Sequence, residues 1–262
     1  MSRPVALVTG ASSGIGEALA HALAEQGEDL MLIARTQSEL LRVQSEIATA
    51  TGRFVAVAAL DLERADAAEA VKAVLRDQDL SVRHLVNNAG FGLAGDMADL
   101  PVSGQVGMVD LNCRALLALT LAFLPEIREN EGGVLNVASV AGFTPGPGLA
   151  VYYASKAFVL SLTRALAFEE RESGIRVCAL CPGPVPTRFG ARAGVGKSGV
   201  IAITRPLSAK DVAHIGLAGY FGRRTVVVPG MIPRLMVAIL SVLPTRMVLP
   251  ILARAQRQRR QK

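Results

Sequence analysis

Short apolar runs and helical patterns alternate along this chain up to about residue 228, and no other feature restricts its fold as strongly. Several of the runs are continuous rather than alternating, which is typical of strands buried on both faces of a parallel sheet. Parallel neighbours need right-handed crossovers, and helices on both faces of the sheet provide them. The sequence therefore predicts a doubly wound α/β fold around a seven-stranded parallel sheet, in a single domain.

The predicted elements follow one another without an internal repeat, a low-complexity tract or a Pro/Ser-rich linker. Strands are expected near residues 5–9, 30–34, 54–60, 84–86, 134–138, 175–180 and 225–228. Helices are expected near residues 15–26, 37–50, 64–77, 102–128, 152–172 and 209–221. We therefore assign residues 1–230 to the α/β domain and residues 231–262 to a C-terminal helical extension that is apolar first and basic at its end.

The positive charge of the chain is concentrated at its C-terminal end. The 262 residues carry a formal net charge of +6, with 51% apolar and 19% charged residues. This composition excludes intrinsic disorder, and three Cys are too few for a disulfide framework. Residues 1–211 hold 19 basic and 22 acidic residues, whereas residues 212–262 hold nine basic residues and no acidic one. A nucleic-acid partner is therefore not expected.

The N-terminus does not resemble a secretory signal. Its apolar run ends at Gly10, too early for a signal peptide, and no stretch reaches about 18 uninterrupted apolar residues. We therefore expect a cytoplasmic protein with reduced thiols and no membrane-spanning helix.

A glycine-rich turn, Gly10-Ala11-Ser12-Ser13-Gly14-Ile15-Gly16, connects the first predicted strand to the first predicted helix. Gly10 permits a tight turn, Gly14 lets the backbone approach a pyrophosphate, and Gly16 lets the helix pack closely on the strand. The helix N-terminus offers N–H groups and a positive dipole end to phosphates. A purely structural turn is the alternative, but the position between strand and helix favours a Rossmann-type dinucleotide site. Its expected cofactor-binding residues are Gly10, Ser12, Ser13, Gly14, Ile15 and Gly16.

The end of the second predicted strand indicates which dinucleotide is bound. An acidic residue there would bond the ribose 2′-hydroxyl of NAD(H), but no acidic residue occurs between Leu30 and Ser38. Arg35 lies there instead and can pair with a 2′-phosphate through its guanidinium fork. The alternative role is a solvated loop arginine. We expect NADP(H) as the cofactor rather than NAD(H).

Five motifs in order give the chain a family resemblance. They are Thr9-Gly10-x-x-x-Gly14-Ile15-Gly16, Asn87-Asn88-Ala89-Gly90, Ser139, Tyr152-x-x-x-Lys156 and Pro182-Gly183-x-x-x-Thr187. Over residues 4 to about 222 the chain resembles short-form members of the short-chain dehydrogenase/reductase family. The resemblance implies an oxidoreductase that transfers a hydride between nicotinamide and a carbonyl or alcohol, assembled as a homo-dimer or tetramer.

The same resemblance implies roles for individual residues. The catalytic positions of the family fall on Asn112, Ser139, Tyr152 and Lys156. Asn112 is expected to hold a water that connects Lys156 to solvent. Further cofactor contacts are expected at Arg35, and at Asp61 and Leu62 with the adenine. Asn88, Ala89 and Gly90 are expected to line the ribose. Pro182, Gly183, Val185 and Thr187 are expected to hold mainly the nicotinamide amide, and Tyr152 and Lys156 should also contact the cofactor.

The spacing of Tyr152 and Lys156 supports an acid/base role independently. Four residues apart on a predicted helix, the two side chains share a face. An unperturbed tyrosine has a pKa of about 10, and we expect the nearby ammonium, with the positive nicotinamide, to lower it. Tyr152 would then protonate a carbonyl oxygen or deprotonate an alcohol. Tyr153 lacks this spacing and is expected in packing or in a pocket wall.

Each catalytic candidate also has an ordinary structural alternative. Ser139, just past a predicted strand, would hold the substrate oxygen. Taken singly, it could equally cap a helix. Lys156 could be a solvated helix residue and Asn112 a satisfied polar group, but the combination of all four residues favours the catalytic interpretation.

The cysteines and histidines of the sequence are not interpreted as redox or metal sites. Cys178 and Cys181 form a C-x-x-C on a predicted strand, where they point to opposite faces. Cys113 is expected to be a small core residue. His21, His84 and His214 are scattered without carboxylate or Cys partners in the sequence, so no metal site is expected.

The substrate region is glycine-rich and mostly apolar. Residues 188–207 are expected to form a mobile lid, and residues 143–148 and 91–92 two further walls. Beyond Arg188 and Arg192 no anion clamp is visible, so a lipophilic ketone, aldehyde or secondary alcohol is the expected substrate class.

The C-terminal extension has candidate helices at 231–243 and 245–255. A helix that is apolar on all sides is buried, or lies in an interface or at a bilayer surface. We weigh peripheral membrane contact at the inner membrane surface equally against packing on the enzyme body or a partner subunit. The alternative function is a non-catalytic cofactor-binding scaffold or sensor docked at a membrane through this tail.

Overall fold

The structure, a computed structural model, describes residues 2–187 and 206–260. Its seven strands form one parallel sheet in the order β3-β2-β1-β4-β5-β6-β7. The strands are β1 (Arg3–Thr9), β2 (Leu30–Ala34), β3 (Val55–Ala59), β4 (Leu80–Asn87), β5 (Gly133–Val137), β6 (Arg176–Leu180) and β7 (Val226–Val227). The predicted doubly wound α/β fold is confirmed.

Helices cover the sheet, and they occur along the chain where the alternating sequence pattern predicts them. In the described part of the chain they are α1 (Gly14–Glu25), α2 (Gln37–Thr51), α3 (Ala67–Asp77), α4 (Val102–Val109), α5 (Leu116–Glu129), α6 (Ala150–Glu169), α7 (Ala209–Phe221), α8 (Met231–Val242) and α9 (Thr245–Arg260). A π-helical segment (Asp110–Ala115) joins α4 to α5, and a 3-10 turn (Val140–Phe143) follows β5. The helical prediction over 102–128 is thus one continuous helix with a local irregularity.

One strand is longer than the sequence predicts. β4 begins at Leu80, whereas the apolar pattern indicates a start near residue 84. The polar residues Ser81 and Arg83 interrupt the apolar pattern, although Ser81 is almost completely buried, and the pattern misses the first half of the strand for this reason. His84 reaches Tyr220 of α7, with 2.7 Å between its Nδ1 and the phenolic oxygen.

The core lies on both faces of the sheet, as a doubly wound fold requires. On one face Leu19 of α1, Leu40 of α2 and Leu217 of α7 are fully buried against the strands. On the other face the buried residues include Leu75 of α3 and Phe123 of α5. Helices on both sides therefore leave the carboxyl ends of the strands as the natural place for a ligand crevice.

The continuous helix Val102–Glu129 is long and apolar enough to cross a membrane by length and composition alone. In this fold Leu116, Leu119, Phe123 and Ile127 of the helix are buried. Its apolar character is explained by packing against β4 and β5. We assign the helix to the core of the domain.

Most of the predicted lid lies outside the described residues, whereas the helices of the predicted C-terminal extension are described. Residues 188–205, which include Arg188, Arg192 and most of the expected lid, lie outside the described residues. The extension after β7 contains α8 and α9, and none of the α8 residues is buried.

Candidate active site

A cleft of about 380 Å³ opens at the carboxyl ends of the strands, where the strand order reverses between β1 and β4. Arg35 and Leu62 line one end of the cleft, and Tyr152 and Lys156 line the other. A crevice at this switch point is where open α/β sheets bind ligands. The fold therefore brings both ends of the predicted site into one continuous cleft.

The glycine turn takes a shape that side chains would disturb. Gly10 and Gly14 have φ angles of 65° and 64°, a region that glycine adopts without strain. A Cβ on Gly16 would lie 2.4 Å from the carbonyl oxygen of Gly10, so this position needs glycine for close packing of α1. Among the described residues, Ser13 at the N-cap makes no side-chain capping bond, which leaves the N–H groups of the first turn to the cleft.

A hydrogen-bond network joins the glycine turn to the Asn88 segment. The hydroxyl of Thr9 accepts from the backbone N–H of Asn88 at 2.9 Å and of Ala89 at 3.0 Å. The side-chain amide of Asn88 donates to the carbonyl oxygens of Thr9 at 2.9 Å and Gly10 at 3.2 Å. The two motifs therefore form one rigid wall, and this geometry fits the extended phosphates and ribose of a dinucleotide.

Most of the predicted site residues line the cleft. They are Gly10, Ser12, Ser13, Gly14, Ile15, Arg35, Asp61, Leu62, Asn88, Ala89, Gly90, Ser139, Tyr152, Lys156, Pro182, Gly183, Val185 and Thr187. Gly16 and Asn112 are the exceptions: Gly16 packs beneath the turn and Asn112 lies behind the cleft wall. Gly16 therefore has a clear packing role, and its direct contact with the cofactor stays a prediction.

Three side chains converge at the inner end of the cleft. The hydroxyl of Ser139 is hydrogen-bonded to the phenol of Tyr152. Lys156 donates from Nζ to the carbonyl oxygen of Val137 at 2.9 Å, and its Nζ lies 5.9 Å from the centre of the Tyr152 ring. Ser139 also accepts from the backbone N–H of Ala141 at 3.1 Å, so it caps the 3-10 turn as well as holding Tyr152.

The buried position of Tyr152 shifts the pKa of its phenol. Burial raises the pKa of Tyr152 to about 12, and the hydrogen bond from Ser139 offsets only part of that shift. Withdrawal from water thus favours the neutral phenol, and the lowered pKa expected from Lys156 together with the positive nicotinamide stays a prediction. The consequence is that Tyr152 carries its proton at neutral pH, as a proton donor must.

Lys156 is shifted in the opposite sense. Burial lowers its pKa from 10.5 to about 8, because the ammonium loses its hydration. A lysine with this pKa is largely charged at neutral pH and becomes neutral in mildly alkaline solution. The charge of Lys156 is therefore the pH-sensitive element of the site.

Asn112 sits in the π-helical segment, where the helix widens by one residue. Its side chain donates to the carbonyl oxygen of Phe91 and to the hydroxyl of Ser155, both at 3.0 Å. Its Oδ1 accepts from the N–H of Phe91 at 3.1 Å, and a Cβ on Gly90 would lie 2.8 Å from it. Asn112 thus fixes the segment that carries Gly90, and its role in a proton relay stays a prediction.

The substrate end of the cleft differs in part from the prediction. Phe91 and Tyr153 line it as expected, but Phe143 packs under Arg164, whose guanidinium carbon lies 5.4 Å from the ring centre. The lining residues that sequence reasoning missed include Leu111, Val140, Ala141, Leu149 and Pro184 at this end, and Thr36 and Glu63 at the other. No motif singles out these positions.

Glu63 is the missed residue with the clearest chemistry. Its Oε1 accepts from Nη1 of Arg35 at 3.2 Å. Its backbone is held by Asp61, which accepts from its N–H at 3.0 Å, and by Arg114, which donates to its carbonyl oxygen at 2.6 Å. Arg35 therefore faces a fixed carboxylate at the mouth of the cleft.

The histidines have carboxylate neighbours, contrary to expectation. The distances are 3.8 Å for His21–Glu46, 3.4 Å for His84–Glu28 and 3.9 Å for His214–Glu25, each from Nε2 to a carboxylate oxygen. These pairs come from different helices and strands, which spacing along the chain does not show.

Only one of these pairs belongs to a cluster with metal-ligand geometry within the described ranges. Ligand atoms of Glu17, His21 and Glu46 lie within 4.8 Å of one another. Arg42 donates from Nη1 to both carboxylates at 3.0 Å, so the two carboxylates already share an ion-pair partner. We assign the cluster to a surface ion-pair network.

The cysteines are free thiols. Cys178 and Cys181 pack in different core clusters, as expected for positions on opposite faces of a strand. Burial raises the pKa of both thiols to about 12, which keeps them protonated and unreactive.

A family model described as short chain dehydrogenase matches residues 4–198. The chain belongs to the short-chain dehydrogenase family. Sulfoacetaldehyde reductase 2 of Chromohalobacter salexigens is 36% identical to it over 218 residues, which cover 80% of this chain and 86% of that protein.

Two solved structures of short-chain dehydrogenase fold resemble this chain over almost its whole length. A short-chain dehydrogenase from Sphingobium yanoikuyae in complex with NADPH has 30% identity and a TM-score of 0.79, covering 92% of this chain and 96% of that one. The bulky-bulky ketone specific alcohol dehydrogenase from Comamonas testosteroni has 27% identity and a TM-score of 0.75, covering 93% and 96%. This short-chain dehydrogenase is therefore a nucleotide-binding oxidoreductase that acts on alcohols or carbonyls with a nicotinamide cofactor.

Proposed function

We propose that the chain is an NADP(H)-dependent oxidoreductase that interconverts a lipophilic ketone or aldehyde and the corresponding alcohol. The convergence of Tyr152, Ser139 and Lys156 at the inner end of a dinucleotide-shaped cleft carries this proposal. A non-catalytic sensor would need the cleft but not this set of side chains.

The proposed roles follow from the contacts. The bound cofactor supplies or accepts the hydride at the substrate carbon. The Tyr152 hydroxyl donates its proton to the carbonyl oxygen during reduction, and the Ser139 hydroxyl holds that oxygen in place. The ammonium of Lys156, fixed by Val137, stabilises the phenolate that Tyr152 becomes. In the oxidative direction the same proton returns to Tyr152.

NADP(H) is proposed over NAD(H) because of Arg35. Its guanidinium lies at the adenine end of the cleft, with 58% of the side chain exposed, and can form a bidentate pair with a 2′-phosphate. Glu63 orients Arg35 but also competes with the phosphate for it. The pair therefore sets how strongly the enzyme distinguishes the two dinucleotides.

Replacing Arg35 should change cofactor preference without abolishing activity. In Arg35→Ala we expect the ratio of kcat/KM for NADPH over NADH to fall by about 10- to 100-fold, because a charge-assisted contact is lost. In Glu63→Gln we expect the ratio to rise, because the competing carboxylate is gone. Initial rates with both cofactors and one carbonyl substrate measure this ratio.

Arg64→Ala is the matched control for Arg35. Arg64 is also exposed and pairs with an acidic residue, Asp66, at 2.8 Å, but it does not line the cleft. The ratio should be unchanged in this variant. An unchanged ratio in Arg35→Ala would instead remove Arg35 from cofactor selection.

A lipophilic substrate is proposed because apolar side chains surround the reacting end. Leu149, Val140, Phe91 and Tyr153 line it. A panel of bulky ketones, aldehydes and small charged carbonyls, followed by NADPH oxidation, tests this class. Turnover of bulky apolar carbonyls supports it, whereas exclusive turnover of small anionic aldehydes would contradict it.

Members of this family are typically oligomeric, and we propose a homo-dimer or tetramer here. Apolar side chains on α5 and α6 support this, since Leu121 is 63% and Phe168 69% exposed. Contact with a second copy would remove this apolar area from water.

A further inference from the structure

Helix α8 is apolar on nearly all sides, interrupted by Arg234 and Ser241, and only one side faces the body of the protein. Pro233, Val237 and Leu240 recur at helical spacing and are partly buried. The opposite side, here called the outer face of α8, exposes between 41% and 83% of each of its apolar residues: Ile232, Leu235, Met236, Ile239, Val242 and Leu243. Such a contiguous exposed stripe is uncommon on a soluble surface unless another molecule covers it.

Helix α8 lies beside the mouth of the cleft. A Cβ on Gly183, which lines the cleft, would lie 3.2 Å from Cγ of Pro233 in the first turn of α8. Helix α8 also contacts the 3-10 turn Val140–Phe143, whose first two residues line the cleft. A surface that covers the outer face of α8 would therefore lie next to the entrance of the active site.

The positive charge of the C-terminal helices indicates which kind of molecule covers the outer face of α8. Arg234 on α8 and Arg246 and Arg254 on α9 are exposed, and no acidic residue follows Asp211 in the sequence. Within α9, Met247 is 57% exposed and Val248 is buried, so Val248 anchors the start of α9, while Arg246 and Arg254 are exposed. A second copy placed symmetrically on this face would oppose the same positive charges, which disfavours self-association. An anionic partner is complementary.

We propose that the outer face of α8, together with Arg246 and Arg254 of α9, docks on an anionic phospholipid bilayer. The apolar stripe inserts at the level of the headgroups, and the arginines pair with the lipid phosphates. The docking itself is independent of the reaction. That a lipophilic carbonyl enters the cleft from the bilayer rests on the proposed function.

Vesicle flotation of the full chain tests the docking. We expect binding to vesicles of equal parts phosphatidylcholine and phosphatidylglycerol, and a loss of about tenfold or more in the partition coefficient for Leu235→Glu. Leu41→Glu is the matched control, because Leu41 is an exposed leucine on α2 (47%) remote from the extension. Equal binding of these two variants would overturn the proposal, as would no binding of the unchanged chain.

The contribution of electrostatic attraction to the docking is tested separately. Replacing Arg246 and Arg254 by Ala should weaken binding to the anionic vesicles by about fivefold per arginine. Pure phosphatidylcholine vesicles should bind the unchanged chain more weakly, and added salt should weaken binding to the anionic ones. Binding that does not depend on lipid charge or on these arginines would overturn the proposal.

Two further measurements distinguish docking on a bilayer from contact with a second copy and from a loss of activity. Light scattering gives the mass of each variant in solution. A lower mass for Leu235→Glu would show that a second copy covers the outer face of α8, and would overturn the proposal. Reductase activity on a water-soluble carbonyl without lipid should be unchanged in Leu235→Glu, so a failure of docking is distinguishable from a failure of the proposed reaction.

Discussion

Tyr152→Phe should lower kcat/KM for carbonyl reduction by about 10²- to 10⁴-fold, because it removes the proposed proton donor. The ring stays in the cleft wall, so the affinity for NADPH should change little. The chain contains no Trp, and the fluorescence of bound NADPH therefore measures this affinity against a low background. Steady-state rates and cofactor titration together separate the loss of chemistry from a loss of binding.

Tyr153→Phe is the matched control for this experiment. It also removes one phenolic hydroxyl, from the next residue of α6. The centre of the Tyr153 ring lies 6.2 Å from the centre of the Tyr152 ring. Tyr153 also lines the cleft, but only Tyr152 has the four-residue spacing to Lys156. We expect a far smaller loss of kcat/KM in Tyr153→Phe. Equal losses in both variants, or full activity in Tyr152→Phe, would show that Tyr152 is not the acid.

The fold could be predicted closely because its signal is local and repeated. The continuous apolar runs at β1, β2 and β6 are buried on both faces, and the glycine turn marks the start of α1. Parallel pairing and right-handed crossovers then leave few ways to order the strands. The start of β4 is missed because the polar residues Ser81 and Arg83 interrupt its apolar pattern, and the burial of Ser81 in the sheet is not visible along the chain.

Only the site residues that belong to sequence motifs could be predicted from the sequence. Tyr152, Lys156 and Ser139 are brought together as expected, but the geometry adds three facts that spacing does not contain. Glu63 pairs with Arg35 across 28 positions, and Asn112 binds the backbone of Phe91 from within a π-helical segment. Burial raises the pKa of Tyr152 although the nearby ammonium favours the phenolate. Each of these depends on packing between distant segments.

The pH dependence of reduction should follow Lys156. Because burial lowers the pKa of Lys156 to about 8, its ammonium is present below that pH and is lost as the pH rises through it. The phenolate that Tyr152 becomes would then lack its stabilising charge, so kcat/KM for reduction should fall above about pH 8. Tyr152 itself, with a pKa raised to about 12, stays protonated over this range and does not cause the fall. A pH–rate profile at limiting carbonyl concentration measures this.

Two substitutions decide whether Lys156 is the titrating group. Lys156→Met removes the charge, and kcat/KM should drop by about 10²-fold or more and lose its fall above neutral pH. Lys156→Arg keeps a charge whose pKa exceeds about 12, so its residual activity should no longer fall near pH 8, although the larger fork fits poorly beside Val137. A fall at the same pH in Lys156→Arg would mean that another group titrates there. The Arg variant is the stricter test, because a merely structural lysine would lose activity in both variants without moving the pH profile.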